Sequence, residues 1–376
     1  MVLTTRVWQG PKTGSIADLR LVEKVLAAPK PGECRVRVKA VGLNFADVFT
    51  ALGLYSAAPK GEYTPGLEFS GVVEEVGEGE VESLTVNGYD LGPEGSRAAA
   101  AASADLKPGT RVVGVTRFGS YASQLNIPCH LVRPLPAGWT FSQGAGFLVQ
   151  GLTSLYALRG LGDVRPGSTV LVHSAAGGCG QFATKICQKL GAKVVATVGG
   201  ASKVDFLTTN FPGYLTPEVV IVRNKSDFGR QLDEALGSLG VSSFDVVLDA
   251  VLGDYFRPAY ERLGPGGRHV VYGAASMMPS GDRPNWLKLT WQFLKRPKLD
   301  LLKMPTENRS VMAFNLIWMF EKYGLLNELL EQLFALDLSP PYIGQSFDFE
   351  DAPSALRKFQ SGKTVGKVIL ELDEQQ

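Results

Sequence analysis

Histidine and cysteine are scarce in this chain, with three and four copies among 376 residues. His130, His173 and His269 stand far apart. Cys34, Cys129, Cys179 and Cys187 follow neither metal-ligand nor disulfide spacing, which argues against a zinc lobe and suits a reduced compartment. No sign of charge dominates: 38 Lys+Arg face 37 Asp+Glu, a net charge of +1. The basic excess of a nucleic-acid binder is therefore missing. There is no apolar run of about 18 residues to span a bilayer. The opening MVLTTRVWQGPKTG has no apolar h-region of a secretory signal. These absences lead to the expectation of a cytoplasmic protein, and the length suggests two domains.

Local pattern divides the chain. The first 150 residues read as β-rich, with Arg35–Val41 alternating charged and apolar side chains as a half-buried strand does. Gly71–Gly77 and Thr110–Val115 are further strand candidates. Residues 78–108, with the alanine run Ala98–Ala102, read as an inserted surface loop with at most one short helix, because the run has no apolar stripe to dock. From Ser168 the pattern changes. Thr169–His173 is a short apolar strand, a glycine turn follows, and Cys179, Phe182, Ala183, Ile186, Cys187 and Leu190 share one helical face. Lys193–Val198 is the next strand. Strand, helix and strand in so short a span make a βαβ unit and a parallel sheet. Phe244–Asp249 and Arg268–Gly273 read as later strands.

The turn Ala175-Ala176-Gly177-Gly178-Cys179-Gly180 has the form of a dinucleotide-binding loop, with alanine at the first glycine position. A side chain at Gly177 would block a pyrophosphate, and one at Gly180 would push the helix off the strand. An NAD site places an acid about 20 residues on to hold the ribose 2′-hydroxyl. No acid occurs here between Gly180 and Asp205. Gly199 and Gly200 leave room instead, Ser202 can donate, and Lys203 and Arg223 can balance charge. The expected cofactor is therefore NADPH.

At this point the chain resembles the medium-chain dehydrogenase/reductase superfamily, in its zinc-free quinone oxidoreductase branch, the zeta-crystallin-like proteins. The resemblance rests on Val41–Asp47, Pro65–Val73, Val170–Gly180 and Val365–Val368. Residues 281–376 are also similar to vesicle amine transport protein homologues. The resemblance implies an α/β fold: a GroES-like β-rich domain over residues 1–150 and 336–376, and a Rossmann doubly wound parallel sheet over 151–335. Zinc enzymes of the superfamily carry Cys-His where this chain has Asn44-Phe45, and Gly-His-Glu where it has Gly66-Leu67-Glu68. A metal site is thus not expected.

Without a metal, the substrate is polarised by hydrogen bonds. Asn44 is the candidate donor, although a loop-capping role fits it equally. Tyr55 matches a cleft tyrosine of the quinone reductases, as donor or as lid. Thr153, Tyr272, Gly273 and Lys367 become cofactor contacts by the same resemblance, which also implies a homodimer paired through Rossmann edge strands around 268–275. The implied reaction is NADPH-dependent reduction of a small quinone or α,β-unsaturated carbonyl. An NADPH-binding scaffold and an alcohol dehydrogenase of saturated carbonyls are the rivals. Residues 284–303 combine Trp286, Trp291 and Phe293 with Lys295, Arg296 and Lys298. Such a stretch can lie on an anionic membrane, but packing against the Rossmann domain is the favoured expectation.

Overall fold

The computed structural model describes residues 3–81, 84–86, 89–90 and 92–373. It is an α/β fold built on two sheets. The six-stranded sheet runs in the order Val220–Val222, Lys193–Val198, Thr169–Val172, Phe244–Asp249, Leu263–Val271, Ser310–Ala313. All neighbours are parallel. Its inner strands carry short apolar runs, such as Val170–Val172, Val194–Ala196 and Val246–Leu248, because both faces are covered. Val170, Val172, Val194, Ala196, Val246 and Leu248 turn to one core. Leu171, Val195, Ile221 and Val247 turn to the other, against Phe228, Leu232 and Phe256.

The chain enters this sheet at its centre and winds outward twice. The order therefore reverses between Thr169–Val172 and Phe244–Asp249. In doubly wound sheets, the crevice at the carboxyl ends of such a pair is where ligands bind. The glycine turn begins there.

The second sheet has seven strands and is mostly antiparallel. Glu33–Gly42 is its centre, flanked by Glu68–Val76, Gln124–Pro128 and the terminal strand Lys367–Glu371. Glu33–Gly42 alternates buried and half-exposed positions along much of its length, as the charge pattern required. Strands from residues 33–134 thus share a sheet with strands from 343–371, and the parallel sheet is inserted between them.

Three expectations need correction. Within 78–108, the helix Gly92–Asp105 is fourteen residues long rather than short. It packs on the turn Cys129–Leu131 and on the helix Tyr323–Ala335. It buries Gly95, Ser96 and Ala99, so small side chains allow the close approach that an apolar stripe would otherwise supply. Residues 82–83, 87–88 and 91 of this segment lie outside the described residues.

The second correction concerns 284–303. The helix Trp286–Leu294 buries no residue and does not pack its apolar side on the Rossmann domain. Trp286, Leu287, Trp291, Phe293 and Leu294 are more than half exposed, as are Leu301 and Leu302. The third concerns the expected dimer edge around 268–275. Leu263–Val271 is an interior strand, covered by Ser310–Ala313 in the register Arg268↔Ser310 to Val271↔Ala313. The edge on this side is therefore Ser310–Ala313, a four-residue strand too short to stand out in the sequence. Among the described residues no helix is long and apolar enough to cross a membrane.

Candidate functional site

The glycine turn leaves the strand Thr169–Val172 through His173 and through Ser174, whose φ of 54° is left-handed. Gly177 caps the helix Gly178–Lys189. A Cβ on Gly180 would lie 2.5 Å from the Ala175 Cα, so helix and strand touch there and glycine is obligatory. Gly177 is different. A Cβ there would meet only the Ser174 carbonyl, at 3.3 Å. No protein packing demands that glycine, and the space in front of it is open. The first N–H groups of a helix lack internal partners, so the turn offers donors to an anion. Ala175 and Ala176 are buried, and Ala175 N–H donates to the Thr197 carbonyl (3.0 Å). The terminal strand is tied to the same turn, since Gly366 N–H donates to the Ala176 carbonyl (2.8 Å).

Beside the turn lies a buried polar cluster. Lys367 Nζ is 2.5 Å from Glu68 Oε1, and both side chains are almost wholly excluded from water. Lys367 Nζ also donates to Asn44 Oδ1 (3.1 Å). Gln150 Nε2 donates to the same Asn44 oxygen (2.6 Å) and toward Glu68 Oε1 (3.3 Å). Glu68 Oε2 accepts the Val149 N–H (2.9 Å). Cys179 Sγ–H donates to Gln150 Oε1 (2.9 Å), which joins the cluster to the glycine turn. Burial pushes the Cys179 thiol up to about 12, so it is no thiolate at neutral pH.

Asn44 caps the helix Phe45–Ala51, with its N–H on Asp47 Oδ2 (2.8 Å). Its amide donates to the Gly42 carbonyl and to Glu68 Oε1, both at 3.1 Å. Both amide protons are thus engaged. Burial raises the Asp47 carboxyl to about 7, against the Asn44 N–H, the Lys367 charge and Tyr121, which lower it. Tyr55 stands outside this cluster. Its hydroxyl donates to Asn315 Oδ1 (2.8 Å), and burial raises its pKa to about 12. Thr153 is buried on the helix Leu148–Leu155, next to Ser154, whose hydroxyl donates to the Cys179 carbonyl (2.8 Å).

At the far side of the crevice, Ser202 opens the helix Ser202–Asn210. The Lys203 ammonium donates to the carbonyls of Gly362 (2.9 Å) and Thr364 (2.8 Å). Arg223 lies against Gly199, whose added Cβ would meet Nη2 at 3.4 Å. Arg223 Nη1 donates to Thr197 Oγ1 (2.8 Å). Tyr272 N–H donates to the Asp249 carbonyl (3.0 Å), and burial raises the Tyr272 phenol well above its ordinary value. Gly273 comes so close to Ala250 that a Cβ would lie 3.0 Å from its carbonyl oxygen.

The structure gathers Asn44, Lys367 and Cys179 into one cluster, and Gly199 and Arg223 into another. Sequence reasoning passed over Glu68 and Gln150 as site residues, and did not link His173 with Thr197. The one available signal was Glu68 itself, an acid between Leu67 and Phe69 at the buried start of the strand Glu68–Val76. Among the described residues no group of three or more His, Cys, Asp or Glu could hold a metal ion.

Comparison with known proteins agrees with this architecture. The family model described as "Alcohol dehydrogenase GroES-like domain" matches residues 30–137, and "Zinc-binding dehydrogenase" matches 218–370. The synaptic vesicle membrane protein VAT-1 homolog of Mus musculus is 31% identical over 346 residues, 91% of this chain and 77% of that protein. Three solved structures superpose over 98% of this chain and 99% of their own. They are mycobacterial Rv1454c complexed with NADPH (25% identity, TM-score 0.77), the quinone oxidoreductase of Pseudomonas syringae pv. Tomato DC3000 (26%, 0.75) and the CurK enoyl reductase (25%, 0.74). The chain belongs to the medium-chain dehydrogenase/reductase superfamily, in the quinone oxidoreductase-like branch that also includes the VAT-1 homologues.

Proposed function

We propose that this chain is an NADPH-dependent reductase of quinones or α,β-unsaturated carbonyls that works without zinc. The observation that carries this is the Asn44–Glu68–Gln150–Lys367 cluster against the glycine turn. The positions that hold zinc ligands in the metal enzymes are Asn44 and Leu67 here. Leu67 has no donor atom, and Asn44 Oδ1 already accepts from Gln150 and from the Lys367 ammonium. A divalent cation would meet that ammonium as a like charge, so the residues present do not suit zinc.

They do suit a dinucleotide. The open space before Gly177 and the helix N-terminus fit a pyrophosphate, in keeping with the NADPH bound by the mycobacterial neighbour. NADPH, when bound, supplies a hydride to an electron-poor carbon. The chain's part is placement and electrostatics. The glycine turn (Ala175, Ala176, Gly177, Gly178, Cys179, Gly180) cradles the diphosphate. Thr153, Tyr272 and Gly273 flank the nicotinamide end. Because its amide protons are committed, Asn44 acts by holding Lys367 and Gln150 in place rather than by donating to substrate. Tyr55 acts as a neutral hydrogen-bond donor or lid, since a phenol raised to about 12 stays protonated. The quinone oxidoreductase and enoyl reductase neighbours carry the two substrate classes. NADPH consumption is the test, with ortho-quinones, para-quinones, 2-alkenals and alkenones in turn. No turnover with any of them, in protein saturated with NADPH, overturns the proposal.

A second reading is favoured by one observation, the exposed apolar and basic surface of 284–303. In it the chain is an NADPH-binding protein that meets an anionic membrane through Trp286, Trp291 and Lys295. Flotation with anionic and neutral liposomes separates the two readings. If the surface is covered by a second copy instead, a dimeric mass in solution accompanies an absence of flotation.

A further inference from the structure

Arg223 is a half-buried cation with no ion-pair partner of its own among the described residues. Its side chain donates to the Thr197 hydroxyl and lies over the Tyr255 ring, 5.4 Å from the centroid. The nearest acid to act on it is Asp249, and only through space. That carboxylate is already engaged: Oδ1 accepts the N–H groups of Val251 and Leu252, and Oδ2 lies 3.0 Å from His269 Nε2. Burial lowers the pKa of Arg223. A guanidinium held this way at the rim of a crevice lacks an anion.

Thr197, the residue that holds it, is itself held. Thr197 Oγ1 lies 3.0 Å from His173 Nδ1, and both residues are fully buried. A threonine hydroxyl has one proton to give. Thr197 Oγ1 accepts from Arg223, and with the His173 ring protonated on Nε2 the Thr197 O–H donates to a bare His173 Nδ1. That needs a neutral imidazole. Burial pushes His173 down to about 4, with Arg223 adding to the effect and Asp249 opposing it, so the neutral form is the one present. The two outer residues follow the strands on either side of Lys193–Val198, the strand that carries Thr197, and Arg223 N–H donates to the Val198 carbonyl (3.0 Å). The guanidinium is thereby fixed beside Gly199, at the corner where an NAD site would place its acid.

We propose that Thr197 and His173 form a buried relay that aims Arg223 at the 2′-phosphate, and that this relay, not Lys203, selects NADPH over NADH. Thr197 and His173 are positioning residues, and Arg223 is the contact. Lys203 gives two of its three N–H groups to the Gly362 and Thr364 carbonyls, where it fastens the segment before the terminal strand. The inference rests on the NADPH reading above and narrows it to particular side chains.

The test is calorimetric titration of the full-length chain with 2′,5′-ADP and with 5′-ADP, which differ only by the phosphate in question. The wild type is expected to prefer 2′,5′-ADP by about a hundredfold, the range a charge-assisted pair supports. Thr197→Val keeps the side-chain shape and removes the hydroxyl. It should reduce that preference about tenfold while leaving 5′-ADP unchanged, and Thr197→Ser should restore it. Lys203→Met should leave the preference within about twofold. An unmoved preference in Thr197→Val refutes the relay, as does an equal loss for both ligands, which marks a merely structural threonine. Loss of preference in Lys203→Met refutes the assignment to Arg223. A wild type that binds both ligands equally removes the NADPH reading and the relay with it. A selective wild type with an unmoved valine variant removes the relay alone.

Discussion

Lys367→Met strikes the buried pair at the centre of the site. Lys367 and Glu68 are 2% and 1% exposed. Breaking such a pair by removing one partner costs about 3–5 kcal/mol, because the other charge is left in a poorly polarisable interior. The two halves are not equivalent here. Without Lys367, the Glu68 carboxylate keeps three donors: Val149 N–H, Asn44 Nδ2 and Gln150 Nε2. Lys367→Met therefore belongs at the low end, about 3 kcal/mol. Without Glu68, the ammonium keeps only Asn44 Oδ1. Glu68→Leu accordingly belongs near about 5 kcal/mol. The double variant leaves no uncompensated charge, so it should fall short of the sum by at least about 2 kcal/mol. Urea unfolding at pH 7.5, followed by tryptophan fluorescence, measures all four proteins. The reasoning fails if Lys367→Met lies within about 1 kcal/mol of wild type, or if the double variant equals the sum of the singles.

Three further predictions use other parts of the site. Asp47 has its carboxyl raised by burial from 3.8 to about 7 in the folded state. Its contribution to stability is therefore full below about pH 4 and is lost as pH rises through about 7. From pH 5 to pH 8 that amounts to about 2–3 kcal/mol. Asp47→Asn should flatten this part of the stability curve, and parallel curves for the two proteins would contradict the assignment. Gly180→Ala should destabilise the fold by about 1–3 kcal/mol through overpacking against Ala175. Gly177→Ala should change stability by less than about 1 kcal/mol yet weaken NADPH binding, because its space is kept for a ligand. Equal losses of stability in both would erase the distinction. Elemental analysis should find no stoichiometric zinc, and chelator treatment should leave NADPH-dependent turnover unchanged; loss of turnover on chelation would reopen the metal question.

The parallel sheet was legible in the sequence because its signals are local. Thr169–Val172, the glycine turn and Lys193–Val198 lie within about thirty residues, and each carries its own pattern of strand, turn or helix. The missing acid after Lys193–Val198 is likewise readable in order along the chain. The GroES-like sheet was legible in part, since Glu33–Gly42 alternates. Its closure by Lys367–Glu371 pairs residues more than 300 positions apart, and here the resemblance implied what no pattern could.

The misreadings share one cause, which is that partners are chosen in three dimensions. The alanine-rich helix docks because a small-residue face fits the surface it meets, and that surface is formed by other segments. The helix Trp286–Leu294 has the composition of a packed amphipathic element, yet the described residues leave none of it buried. Lys203 stands at the right distance from the glycine turn to receive a phosphate, but the Gly362 and Thr364 carbonyls reach it first. Sequence alone determined that the chain carries a strand–glycine-turn–helix unit, no acid for a ribose hydroxyl and no thiolate or imidazole at Asn44 and Leu67. Tertiary structure decided which charges meet. It set Lys367 against Glu68, 299 residues away, and Arg223 on Thr197, because burial makes each polar group take whatever partner the fold brings within reach.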